Sequence, residues 1–483
     1  MELAQDLKSR HEVRELVEAA DAARKRLSNL DQNAINRIVR AMAAAGKEHA
    51  EQLANMACKE TGYGTVRDKV KKNLFASEMV WKAIEPIKTV GILHQDETNK
   101  IWDVGVPVGV IAGIVPSTNP TSTTIYKALI ALKGGNAIVF SPHPGAKECT
   151  RRTVEILMEA AVSAGCPEGA IGCISIPSMD AVEELMKHPK VRLILATGGG
   201  AMVRSAYASG TPAIGVGAGN GPAYLHPSCD LKQAVSDIIR SKTFDNGTIC
   251  ASEQSVILER SFAKQAEEEL VRQGCCILDE TDKLKLAKVL FRENGTMNPK
   301  IVGRSALDLA QIAGLSDRAK QAKILIAREN GVGRQFAYSM EKLCPVLGLF
   351  VVENEGEALE LACRILEHEG SGHTFVIHAK DETVIQRFAL EVPVSRFLVN
   401  TPGSLGGIGS TTKLFPALTL GCGAVGGSSS SNNIGPLDLI NIRRVAWDTE
   451  ETVVRSMQRN AADPDLVEEL TQRLLHKLNL NIG

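Results

Sequence analysis

From about residue 101 the chain repeats one pattern: a short apolar run, a loop rich in glycine or proline, and a helical stretch. Val104 to Val115 is strand-rich and ends at Pro116, and Ser122 to Leu132 reads as a helix. Ala137-Ile138-Val139-Phe140 is a short buried strand followed by a helix from Lys147 to Ala164. Gly172 to Ile176 and Val191 to Ala196 read as strands, with a helix over Met179 to Lys187 between them. Thr197-Gly198-Gly199-Gly200 then leads into a helix from Ala201. This alternation specifies an α/β fold, with a parallel sheet covered on both faces. Ligands bind such sheets at the carboxyl ends of the strands, where these glycine and proline loops lie.

The flanking regions differ. Residues 1–90 are rich in Ala, Leu, Lys and Glu, with apolar residues three and four apart (Leu16, Ala19, Ala20, Ala23; Ile35, Ile38, Val39, Met42), which predicts helices. Gly62 and Gly64 interrupt them before Val66 and Lys69. A second α/β region runs from about 231 to 400, with helices at Leu231–Ser241 and Phe262–Gln273 and strands at Ser255–Leu258 and Thr374–Ile377. The glycine- and serine-rich stretch from Gly421 to Asn433 reads as a loop, Leu437 to Val445 as a further strand, and the last 35 residues as charged helix. A chain of 483 residues with 44% hydrophobic residues has material for two large domains.

Charge excludes some functions. With 55 basic and 56 acidic residues, there is no positive field to hold nucleic acid, and 4% aromatic content leaves no base-stacking platform. The 11 cysteines include no CxxC pair and no cluster at zinc spacing, so no metal site is expected, and reduced thiols in a cytoplasmic protein are the expected state. No apolar stretch is long enough to cross a bilayer, and the amino terminus lacks the apolar core of a signal peptide.

One cysteine stands apart. Cys250 lies in Thr243-Phe244-Asp245-Asn246-Gly247-Thr248-Ile249-Cys250-Ala251-Ser252, a small, polar turn before the strand at Val256. Small neighbours and backbone amides suit a thiolate nucleophile that must admit a carbonyl. Six further segments carry polar or glycine-rich chemistry at strand ends or in loops. They are Gly113-Ile114-Val115-Pro116-Ser117-Thr118-Asn119-Pro120, Ser141-Pro142-His143-Pro144, Gly215-Val216-Gly217-Ala218-Gly219, Glu341-Lys342-Leu343-Cys344-Pro345, and Gly370-Ser371-Gly372-His373-Thr374 with Leu420-Gly421-Cys422-Gly423. The loop Thr197-Gly198-Gly199-Gly200 is not a GxGxxG fingerprint, but it would let a ligand approach the backbone and the next helix start.

In this order the segments resemble the CoA-acylating branch of the aldehyde dehydrogenase superfamily over about residues 1–445. The resemblance is strongest to the aldehyde dehydrogenase half of bifunctional aldehyde–alcohol dehydrogenases, and next to acylating succinate-semialdehyde and sulfoacetaldehyde dehydrogenases. It implies the aldehyde dehydrogenase fold: a Rossmann-like cofactor domain with N-terminal helices (1–230), a catalytic α/β domain with Cys250 (231–404), a return segment and oligomerisation arm (405–445), and a helical tail (446–483). It implies oxidation of a small aldehyde with NAD or NADP to a Cys250 thioester, which coenzyme A then takes up as acyl-CoA, reversibly. Acetaldehyde is the leading substrate, with propionaldehyde, butyraldehyde, succinate semialdehyde and sulfoacetaldehyde also open. Arg334 is one guess for a group that would hold an anionic aldehyde.

The resemblance also implies site roles. Ile114, Val115, Pro116, Ser117, Thr118 and Asn119 line the nicotinamide, and the oxyanion donor is open among Thr118, Asn119 and the Cys250 amide. Ser141, Pro142 and His143 touch the adenosine ribose, where no carboxylate selects NAD over NADP. Gly199 and Gly217 border the cofactor, Glu341 holds the nicotinamide ribose, and Leu420 packs on the nicotinamide. His373 either meets cofactor or CoA phosphates or is a satisfied core histidine. Hydrolytic relatives carry a water-activating glutamate where this chain has Val216. With the chain ending at Gly483, the iron-dependent alcohol dehydrogenase half is expected to be missing. Partners are expected to be the aldehyde, coenzyme A and further copies of the chain, as a homodimer or homotetramer, with no membrane or nucleic acid. The rival readings are a hydrolytic aldehyde dehydrogenase and an assembly or microcompartment cargo protein, in which the N-terminal helix would dock on a shell instead of packing on its own domain.

Overall fold

The computed structural model describes residues 5–448 and 464–478. It divides into two compact units, one of residues 1–89 and 107–440 and one of residues 90–106 and 441–483. The larger unit contains two parallel sheets.

The first sheet has five strands in the order Ile171–Cys173, Ala137–Ser141, Val110–Ile114, Val191–Thr197, Ala213–Val216. All neighbours are parallel. The chain enters at the central strand, winds outward in one direction, then returns to the other side of that strand. The switch point therefore falls between Val110–Ile114 and Val191–Thr197, and a crevice opens beyond their carboxyl ends. Every residue of Val110–Ile114 and Ala137–Ser141 is buried, as expected of strands covered on both faces. Helix Pro120–Lys133 starts with proline at its first position, where no amide donor is lost, and is buried along its whole length. Helix Gln5–Leu27 places Val13, Val17 and Ala20 in this core beside Leu185 and Val139. The N-terminal helix thus packs on its own unit.

The second sheet has seven parallel strands in the order Cys275–Ile277, Ile324–Arg328, Val346–Val352, Ser255–Glu259, Pro222–Leu225, Gly372–His378, Val394–Val399. Its fourth strand, Ser255–Glu259, is the one that Cys250 precedes. Strand Pro222–Leu225 already belongs to this sheet, so the sheet's chain begins before Leu231.

The smaller unit holds a three-stranded sheet in the order Gly91–Asp96, Ile101–Pro107, Ile440–Ala446. The antiparallel hairpin of its first two strands has no buried apolar face that period-two patterning could reveal, because Gly91–Asp96 is exposed or half-buried throughout. Trp102 and Trp447 meet edge to face in this unit, with centroids 4.9 Å apart. Of the expected tail 446–483, Pro464–Lys477 is a helix, and residues 449–463 and 479–483 lie outside the described residues. No helix among the described residues is long and apolar enough to cross a membrane.

Candidate active site

A cavity of about 720 Å³ lies at the switch point of the five-stranded sheet. Its wall contains Ile114, Val115, Pro116, Ser117, Thr118, Asn119, Ser141, Pro142, His143, Gly199, Gly217, Cys250, Glu341 and Leu420. Residues that are hundreds of positions apart thus converge on one space. His373 is absent from that wall. It is fully buried, Nδ1 lies 2.9 Å from Thr374 Oγ1, Nε2 has no partner, and burial lowers its pKa to about 3. Arg334 is exposed and also absent from the wall.

The floor is held by an unusual lysine. Lys127, on helix Pro120–Lys133, is fully buried and donates to the carbonyls of Ile114 (2.6 Å) and Leu195 (2.8 Å). It ties together the ends of the two strands that flank the crevice. Above them, a Cβ added at Gly199 or Gly217 would meet nothing within 4 Å, so both glycines border open space. The segment at 198–200 leads into helix Gly200–Ala208, whose first amides face the crevice end of the sheet. This arrangement fits an extended dinucleotide with its phosphates near that helix start. At Ser141-Pro142-His143 no carboxylate is present. His143 Nδ1 instead accepts from Gly145 N at 3.0 Å.

Cys250 is half-buried, and its loop is built from strained backbone. Asp245 and Asn246 hold left-handed conformations (φ 47° and 52°), which asparagine and aspartate tolerate better than other residues with a side chain. A buried charge network holds them there. Asp245 accepts from Lys72, from Lys69 at 3.1 Å, from Thr248 Oγ1 at 2.7 Å, and from Thr65 N at 2.8 Å. Burial works to raise the Asp245 carboxyl, but the Lys72 and Lys69 charges outweigh it and hold it below its ordinary value. Stranding either charge without a partner would cost about 3–5 kcal/mol. Gly64 admits the network, because a Cβ there would stand 1.9 Å from Asp245 Oδ1.

The other side of Cys250 is equally close. A Cβ at Gly219 would stand 2.0 Å from the Cys250 carbonyl oxygen, so only glycine lets the 215–219 loop lie against Cys250. Gly219 N donates to Glu341 Oε1 at 2.8 Å, which anchors the one carboxylate among the residues lining the cavity. Burial, and then the Glu369 charge, push the Glu341 carboxyl up to about 8. Val216 lines the same cavity and is buried, with no carboxylate in its place.

Burial and then the Glu341 charge push the Cys250 thiol up to about 12, with Arg396 opposing them. In the free protein the thiol is therefore protonated near neutrality. Alkylation by iodoacetamide is expected to accelerate about tenfold per pH unit from 7 to 10, because only the thiolate reacts. The slope should be shallower near pH 8, where Glu341 loses its proton and its new charge opposes thiolate formation. Mass spectrometry of the modified peptide checks this.

Lys69, Lys72 and Asp245 were not identified as site residues from the sequence. Helix Val66–Leu74 buries Asp68, Lys69, Lys72 and Asn73, so its polar face is the inward one. The signal is slight: charged residues at helical spacing in a helix with almost no apolar stripe.

A half-buried thiol facing a crevice at the switch point of a parallel sheet suits a cysteine-dependent oxidoreductase on an α/β scaffold. The sequence profile of the aldehyde dehydrogenase family matches residues 4–305. The Escherichia coli bifunctional aldehyde-alcohol dehydrogenase AdhE is 42% identical over 93% of this chain and 51% of its own length. The Clostridium kluyveri succinate-semialdehyde dehydrogenase (acetylating) is 34% identical over 92% of this chain and 98% of its own. Among solved structures, an acetylating aldehyde dehydrogenase from Geobacillus thermoglucosidasius superposes with a TM-score of 0.90 at 49% identity, covering 92% of this chain and 98% of that one. The chain belongs to the aldehyde dehydrogenase family, and its relatives include the acylating enzymes. It spans about half the length of the bifunctional relatives, 51% in the case above.

Proposed function

We propose that the protein converts a small neutral aldehyde, a nicotinamide dinucleotide and coenzyme A to acyl-CoA and the reduced dinucleotide, reversibly. One observation carries the reading. Cys250 and the buried, apolar Val216 line one cavity, the family resemblance aligns Val216 with the water-activating glutamate of hydrolytic relatives, and the single carboxylate among the described lining residues, Glu341, accepts from Gly219 N. With no glutamate at Val216, water attack on a thioester formed there is expected to be slow, which favours a thiol as the acyl acceptor. Acetylating relatives support the same chemistry.

In the proposed sequence the Cys250 thiol releases its proton to solvent, the thiolate attacks the aldehyde carbon, a C–S bond forms, and the carbonyl electrons move to oxygen. Thr118, Asn119 and the Cys250 amide supply candidate donors for that oxyanion. The bound dinucleotide serves as the hydride acceptor. As the oxyanion collapses, hydride departs from the thiohemiacetal carbon and leaves a thioester on Cys250. Attack by the coenzyme A thiolate then expels the cysteine thiolate. Thioester is exchanged for thioester, so little free energy is lost and the reverse direction stays open.

Substrate class follows from the wall. Among the described residues that line the cavity none is Arg or Lys, and Ile249, Leu343, Ile408, Leu418 and Leu420 are apolar. A short neutral aldehyde such as acetaldehyde or propionaldehyde therefore suits it better than succinate semialdehyde or sulfoacetaldehyde. The missing carboxylate at Ser141-Pro142-His143 leaves room for a 2′-phosphate, so NADP is admitted beside NAD. We further propose a homo-oligomer assembled through strand Ile440–Ala446, where Ile442 and Val445 are exposed.

The test is to mix the protein with propionaldehyde and NAD⁺ or NADP⁺ without coenzyme A. One equivalent of reduced dinucleotide and a propionyl adduct on Cys250 are expected, with the adduct removed on adding coenzyme A. Continuous turnover with no adduct would reject the proposal.

A further inference from the structure

Lys72 does not line the cavity, yet it touches both sides of the catalytic centre. Its ammonium has three protons, and three acceptors surround it: Asp245 Oδ2, Asn119 Oδ1, and Thr248 Oγ1 at 3.2 Å. An ammonium can only donate, so the Asn119 amide must present its oxygen to Lys72. The other side of the amide confirms the orientation. Asn119 Nδ2 lies 3.2 Å from the Thr248 carbonyl, which can only accept, and 3.1 Å from Thr118 Oγ1. Flipping the amide would set donor against donor at Lys72 and acceptor against acceptor at Thr248.

Both Asn119 amide protons are thereby used. The Asn119 side chain has none left for an oxyanion in this geometry. Thr118 is in the opposite position. Its oxygen accepts from Asn119, and its own proton has no acceptor among the described residues. Thr118 lines the cavity that Cys250 faces. Its backbone is also fixed, because Lys69 donates to the Thr118 carbonyl at 3.0 Å.

We infer that Lys72 is a positioning residue: it sets the Asn119 amide, which clamps segment 117–119 to the nucleophile loop and leaves the Thr118 hydroxyl free to donate to the oxyanion. The inference rests on the Cys250 reaction proposed above. It names Thr118 as the side-chain donor among the three candidates, with Asn119 acting through it. Lys69 remains beside Asp245 when Lys72 is removed, so that carboxylate keeps a cationic partner.

The test uses the full chain and stopped-flow measurement of the first turnover with propionaldehyde and dinucleotide. Lys72→Met should slow hydride transfer about 10²-fold through misplacement of the donor. Thr118→Val should cost about 10²-fold, and Thr118→Ser, which keeps the hydroxyl, should retain most of the rate. In the Thr118→Val background, Lys72→Met should have little further effect, since both changes remove one function. A purely structural role for Lys72 would instead give losses that multiply, and that result overturns the inference. So does a Lys72→Met variant with the wild-type rate. If Lys72→Met does not fold, the Thr118 pair decides, and an unchanged rate in Thr118→Val refutes the donor assignment. A wild-type protein that shows no Cys250 adduct would reject the underlying reaction and not Lys72 alone.

Discussion

Replacing Cys250 with serine is expected to lower aldehyde oxidation by roughly 10⁴- to 10⁶-fold, the range seen when a covalent nucleophile is removed. The serine is nearly isosteric, so the tight contacts around the loop survive: the Gly219 backbone against the Cys250 carbonyl and the Asp245 network behind Thr248. Dinucleotide binding and the thermal transition should therefore match the wild type. The loss would then belong to chemistry and not to folding. A hydroxyl in this cavity has no histidine base on the wall apart from His143, which lies in the loop after strand Ala137–Ser141. Serine would consequently remain a poor nucleophile. Steady-state rates with coenzyme A present, together with direct dinucleotide binding, check both halves of this expectation.

Val216→Glu is expected to create what the cavity lacks. A carboxylate at the end of strand Ala213–Val216 would face the thioester and could activate water. General-base assistance contributes about 10²- to 10⁴-fold, so turnover without coenzyme A should rise by at least about 10²-fold over the wild type. The site is buried, which holds a new carboxyl partly protonated near neutrality. The gain should therefore increase with pH as the carboxyl ionises. The product should change as well, from acyl-CoA to the free acid. A variant that remains strictly dependent on coenzyme A would show that some other feature protects the thioester from water.

Much of this was legible in the sequence, for identifiable reasons. The strands Val110–Ile114, Ala137–Ser141 and Val191–Thr197 are buried on both faces, so their apolar runs are uninterrupted and end at glycine or proline. Loops that follow such strands at a switch point form a crevice whatever their details, and the motif order supplied Cys250, Val216 and Glu341. What escaped was polar burial. Helix Val66–Leu74 turns Lys69 and Lys72 inward, and their partner Asp245 lies more than 170 positions away in sequence. Charged residues at helical spacing ordinarily mark a solvated face, and nothing local reverses that reading. His373 shows the converse limit. The sequence leaves it open between contact with cofactor or CoA phosphates and a core position, and only the folded chain shows it buried against Gly219. Strand Gly91–Asp96 escaped because an exposed two-sided strand carries no alternation to detect.

The most direct measurement is the steady-state rate of dinucleotide reduction with acetaldehyde, propionaldehyde, butyraldehyde, succinate semialdehyde and sulfoacetaldehyde, each with and without coenzyme A. The account predicts sustained turnover only when coenzyme A is present, fastest with a short neutral aldehyde, and acyl-CoA as the product. Equal turnover without coenzyme A, yielding free acid, would contradict it, since water would then be reaching the Cys250 thioester with a base that the cavity around Val216 does not provide.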